Sequence, residues 1–149
     1  MPHRSVLTPL AVVLIGLTLA PHAEALQPMP FCGRSLTDRT VELNLSGCQS
    51  LTDRDFKRLA DLKSLQKLNL SRAYLHGERL KQVGAIKSLR ELNLSWTLVS
   101  DSGLKHLTRL KALQALKLVK TRVTDAGLRH LAGLKSLTLL WLSGTRVSD

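Results

Sequence analysis

The chain has 149 residues, and 22 lysines and arginines against 11 acids give it a formal charge of +11. Hydrophobic residues make up 44% and aromatics only 3%, so a core can form if leucine builds it. This length fits one domain and excludes a multidomain enzyme, and no apolar run reaches the ~20 residues of a membrane-spanning helix. The positive excess favours acidic partners without selecting one.

Residues 1–25 read as an export signal. His3 and Arg4 make a weakly basic start, Leu10 to Ala20 an apolar core, and Ala23-Glu24-Ala25 the small-x-small pattern that a signal peptidase accepts. Cleavage there gives a mature chain that starts at Leu26 and is secreted or periplasmic. It removes Arg4 and Glu24 together, so the net charge is unchanged. Residues 26–39 form an N-terminal flank without repeat character.

From residue 40 onward the chain repeats itself. Leu65, Leu89, Leu113 and Leu137 are each 24 residues apart. In register with them run Leu68/Leu92/Leu116/Leu140, Leu70/Leu94/Leu118/Leu142 and Leu75/Val99/Val123/Val147. Further columns are Leu80/Leu104/Leu128, Val83/Leu107/Leu131 and Ile86/Leu110/Leu134. An earlier unit fits with one extra residue through Leu43, Leu45, Leu51, Phe56, Leu59 and Leu62. Leu92-Asn93-Leu94 alternates inward and outward, as a short strand does, while Leu104, Leu107 and Leu110 suit one side of a short helix. Asp53, Asp101 and Asp125, each after Thr or Ser at the head of the helical stretch, are expected to be N-caps, with Gly77 replacing them in the second unit. No unit can bury its leucines alone, so the units must stack, with a parallel sheet on one face and helices on the other.

The pattern Leu89-x-x-Leu92-x-Leu94-x-x-Thr97 resembles the leucine-rich repeat, of the ribonuclease-inhibitor-like type, with Thr97, Thr121 and Thr145 where Asn or Cys is usual. The first unit, Leu43 to Asp53, is similar to the cysteine-containing subtype of F-box substrate adaptors. The later Thr-x-Val-Thr/Ser-Asp units are similar to bacterial leucine-rich repeat proteins. The resemblance covers about residues 40 to 149, in about four and a half units of which the last is incomplete. It implies an α/β solenoid, a horseshoe with its parallel sheet concave and its short helices convex. It says little about function, because these repeats host many binding tasks.

Outward strand residues form three columns on the concave face: Glu42, Lys67, Glu91, Ala115, Leu139; then Asn44, Asn69, Asn93, Lys117, Trp141; then Ser46, Ser71, Ser95, Val119, Ser143. Ala115, Val119, Leu139 and Trp141, with Lys117 among them, are the expected partner-binding cluster. The other reading is that further repeats or a second copy of the chain cover it.

Cys32 and Cys48 are the only cysteines. A bridge between them would clamp the N-terminal edge of the solenoid; alternatively Cys48, in the column of Thr97 and Thr121, simply turns inward. They make no zinc site. His106 and His130 share a column with Arg58 and Gln82, and are read as a solvated helical surface rather than metal ligands. Asn44, Asn69 and Asn93 match glycosylation sequons only because Asn and Ser alternate with buried Leu. Lysines such as Lys57, Lys81, Lys105 and Lys135 are spread over the helix side, so nucleic-acid binding is not expected.

No catalytic motif is present, and no cofactor or metal is expected. The leading expectation is a secreted or periplasmic module that binds a protein or cell-surface ligand, with a preference for acidic ones, through its concave face. The alternative is an F-box-type substrate adaptor of a ubiquitin ligase, although the F-box element itself is absent. A third reading is a fragment of a longer repeat protein with no activity of its own. Self-association is expected through an open C-terminal edge formed by Leu137, Leu140, Trp141 and Leu142.

Overall fold

Leucine pairs alternating with outward polar residues form three-residue strands once per repeat. The structure, a computed structural model, describes residues 36–148. The strands are β1 (Glu42–Asn44), β2 (Lys67–Asn69), β3 (Glu91–Asn93), β4 (Ala115–Lys117) and β5 (Leu139–Trp141). They pair in parallel in chain order, and the period sets the register: Leu43, Leu68, Leu92, Leu116 and Leu140 stand side by side.

Parallel neighbours need a crossover, and the helical half of each repeat supplies it. These helices are α1 (Asp53–Asp61), α2 (Leu80–Val83), α3 (Asp101–Leu104) and α4 (Asp125–Leu128). A 3-10 turn, Gly77–Arg79, precedes α2, and others follow α3 (Lys105–Arg109) and α4 (Arg129–Leu131). The three-residue spacing of Leu104, Leu107 and Leu110 accounts for this, since ~3.0 residues per turn is the 3-10 period. Between sheet and helices the leucines fill one continuous core, with Leu65, Leu70, Leu80, Leu89, Leu94, Leu107 and Leu118 fully buried. Leu140 is the exception in its column at 39% exposed, against 2% for Leu92 and 0% for Leu116.

The threonines turn inward as expected. Thr97 Oγ1 donates to the Leu94 carbonyl at 2.6 Å, and Thr121 and Thr145 repeat this with Leu118 and Leu142, both at 2.7 Å. Each hydroxyl thus satisfies a carbonyl left behind where the strand ends. Cys48 and Ala73 hold the same place in the first two units, and both are buried. Cys32, its expected bridge to Cys48, and the expected signal and cleavage site lie outside the described residues.

The aspartate column is not the cap column. The N-caps are Thr52, Ser100 and Thr124, one residue earlier. Thr52 forms a reciprocal pair with Asp55, while Thr124 Oγ1 accepts from the Ala126 amide at 3.2 Å. Asp101 instead reaches across to the next repeat. Its Oδ1 accepts from the Thr124 amide at 2.8 Å and its Oδ2 from the Thr124 hydroxyl at 2.7 Å. Asp125 does the same with Ser148, at 3.2 and 2.7 Å. Already the first helical residue, each Asp points along the stack rather than back over its own amides. Gly127 makes room for this, because a Cβ there would run into the Asp101 carboxylate. Asp53 pairs instead with Arg79, whose Nε lies 3.2 Å from its Oδ1.

Immediately after each strand the chain turns through the left-handed region. Gly47 (φ 71°) and Gly144 (φ 70°) do so in the outer units, but Arg72 (φ 57°), Trp96 (φ 62°) and Lys120 (φ 56°) do so in the inner three. A side chain in that conformation costs about 1–2 kcal/mol that glycine does not.

Candidate functional site

The strand residues that face away from the core line a groove of about 620 Å³ running across all five strands. In its first half one ammonium stands between two carboxylates. Lys67 Nζ lies 2.8 Å from Glu42 and 3.6 Å from Glu91. The hydrogen bond to Glu42, then its charge and that of Glu91, hold the Lys67 ammonium above its ordinary pKa. Asn44, Asn69 and Asn93 are also spoken for locally, each accepting from the serine amide two residues on at 3.0 Å. These asparagines therefore shape the turn, as Asx turns do.

The second half of the groove is exposed and largely apolar. Leu139 is 53% and Trp141 37% exposed, and Lys117 Nζ sits 4.9 Å from the centre of the Trp141 ring. The structure divides the expected cluster. Lys117, Leu139 and Trp141 come together, with Gln114 and Thr138 beside them. Ala115 is buried and forms floor rather than contact surface, because its methyl is too short to rise above its neighbours. Val119 is half-buried and lies on a different depression, beside Trp96.

That depression, about 480 Å³, follows the rim where the strands end and is lined by Ser46, Ser71, Arg72, Ser95, Trp96 and Val119. Trp96 is 54% exposed, with the Arg72 guanidinium 5.7 Å from its ring centre. The expectation of evenly scattered cations passes over this row. The column Gly47, Arg72, Trp96, Lys120, Gly144 could have signalled it, since glycine marks the two ends and bulky residues fill the middle.

On the helical side His106 is not the solvated residue expected. Its Nε2, like the Oε1 of Gln82 in the same column, is buried without a hydrogen-bond partner among the described residues. Burial first, then the positive charge of Lys105, pushes its pKa down. His130 is exposed. Among the described residues no group of three or more His, Cys, Asp and Glu is arranged to hold a metal ion, and no helix is long and apolar enough to cross a membrane.

A family model, Leucine Rich repeat, matches residues 85–108, which span the third strand and the helix after it. That segment is a leucine-rich repeat, and the described residues have the leucine-rich repeat fold. Solved structures share the same solenoid. An internalin C2 from Listeria monocytogenes aligns with a TM-score of 0.59 at 21% identity, over 78% of this chain and 59% of its own. The internalin InlF of the same organism aligns with a TM-score of 0.51 at 20% identity, over 74% of this chain and 36% of its own. Leiomodin-1 actin-binding site 2 aligns with a TM-score of 0.55 at 14% identity, over 68% of this chain and 69% of its own. The chain thus spans little more than half of the first internalin and about a third of the second. No curated protein sequence matches it significantly.

Proposed function

We propose that this protein is an exported, non-enzymatic module that binds a protein ligand through the C-terminal half of its concave groove. The observation that carries this is the juxtaposition of Leu139, Trp141 and Lys117. Two large apolar side chains stand exposed on the fifth strand, with a cation from the fourth over the indole, in a groove whose other half pairs two carboxylates with one ammonium. Exposed Trp in a concavity is the residue type that dominates binding energy at protein interfaces. The fold also serves as an actin-binding site in leiomodin-1. Export rests on the Leu10 to Ala20 run and the Ala23-Glu24-Ala25 site.

A peptide-display selection against the purified protein tests the binding surface. Selected peptides should lose about tenfold or more in affinity for Trp141→Ala, with a smaller loss for Lys117→Ala. Peptides that bind both variants like the wild type would overturn the assignment. N-terminal sequencing of the chain recovered from its native host should begin at Leu26, and an intact Met1 would refute export by this signal.

A further inference from the structure

The rim beyond the strands differs from the groove in charge and shape. The turns 46–50, 71–75, 95–99, 119–123 and 143–147 contain Arg72, Lys120, Arg122 and Arg146 and not one acidic residue. All four cations are exposed. Two aromatics, Trp96 and Tyr74, are exposed among them, at 54% and 51%. The backbone locks the row together: the amides of Arg72, Trp96 and Lys120 donate to the carbonyls of Ser95, Val119 and Ser143 on the next repeat. The hydroxyls of Ser46, Ser71 and Ser95 line the depression beside Trp96 and are engaged by no described residue.

From these features we infer that the rim is a second binding site, for a linear acidic polysaccharide of the uronate type. Successive turns follow the spacing of parallel strands, ~4.8 Å, which is close to the rise of one pyranose unit. A uronate chain laid across the strands therefore meets one turn per sugar. The indole of Trp96 receives the C–H face of one ring, Arg72 and Lys120 take the carboxylates of its neighbours, and the serine hydroxyls meet the sugar hydroxyls. An extended peptide rises only ~3.3 Å per residue, so it cannot set one residue on each successive turn, and its side chains alternate between faces. A nucleic-acid strand needs successive stacking platforms, and this row offers one. Tyr74 is already set edge-on against His76 at 4.9 Å.

The left-handed column supplies a test that separates binding from folding. Gly47 and Gly144 show that glycine serves this position, so Trp96→Gly, or Arg72→Gly with Lys120→Gly, removes the ligand contacts while keeping the turn. The probe is a fluorescein-labelled polygalacturonate oligomer, followed by anisotropy at low salt with the full chain. Trp96→Gly and the double variant should each bind about tenfold more weakly or worse, with melting temperatures at or above wild type. Lys87→Ala, at an exposed position in the turn between α2 and β3, should stay within about twofold. No binding by the wild type would overturn the inference. So would equal weakening by Lys87→Ala, or a parallel fall in melting temperature for the glycine variants. Tighter binding of poly-glutamate or oligo-dT, with the same sensitivity to Trp96→Gly, would reassign the rim to an acidic peptide or to single-stranded nucleic acid.

Discussion

At the scale of single residues, two side chains sit where their chemistry is least comfortable, and each for a different reason. His106 holds an imidazole nitrogen in a buried position with no partner among the described residues. Its native pKa therefore lies below that of the unfolded chain, ~6.5. The unfolded chain takes up the proton first as the pH falls. The stability contribution is complete above ~6.5 and is lost as the pH drops through that value toward the native pKa. Thermal melts at pH 7.5 and 5.0 should show a larger loss for the wild type than for His106→Gln. Equal losses would mean that the imidazole does not titrate in this window. Trp96 is strained in its backbone rather than in its charge state. Helical periodicity places His106 beside Gln82 but does not reveal how deeply the stack closes over the column. The left-handed turn left only the glycines at the two ends of its column as a signal, because Arg, Trp and Lys are not the residues that announce it.

Between elements, the contact that binds one repeat to the next is a carboxylate with two donors. The pair between Asp101 and Thr124 is part-buried, and hydrogen bonds to a charged group contribute about 1.5–3 kcal/mol when desolvated. Capping alone would contribute about 1 kcal/mol. We expect Asp101→Ala to destabilise by roughly 2 kcal/mol and to couple with Thr124→Val by about 1 kcal/mol in a double-mutant cycle by urea unfolding. Additive losses would show that each residue serves only its own helix. Strand positions and register could be read from spacing, because burial enforces period 2 and the repeat enforces the column, and the inward threonines followed from the leucine-rich repeat resemblance. The aspartates could not. A carboxylate at the head of a helix suits either its own free amides or a donor on the neighbouring turn, and only the stacking distance decides. Gly127 was the available hint, since a vacancy opposite Asp101 is what the cross-repeat contact requires.

Across the whole molecule, each unit is stabilised by the neighbours on its two sides, so equal substitutions should carry unequal costs. Leu94→Ala, at a fully buried position of the third repeat, should destabilise by about 3–4 kcal/mol. Leu140→Ala should cost about 1 kcal/mol or less, because that side chain already keeps 39% of its surface in water. Similar losses in chemical denaturation would mean that the fifth strand is covered by a surface that the described residues do not show. Because Leu139, Leu140 and Trp141 are exposed, we expect the purified chain to associate at high concentration against the repulsion of its +11 charge. Trp141→Lys should lower the weight-average mass seen by sedimentation equilibrium, and a wild type that stays monomeric throughout would refute this. The fold class followed from the 24-residue spacing alone, whereas the division of the outward residues into groove and rim did not, since both lie on the same faces of the same units. The parallel, in-register pairing of identical units has one more consequence. Because each described strand pairs only with the strands of adjacent repeats, duplicating residues 89–112 would lengthen groove and rim together by one strand spacing, ~4.8 Å, and leave every existing strand pair intact. Footprint length on such a scaffold is therefore a quantised trait, inherited in whole steps of one unit.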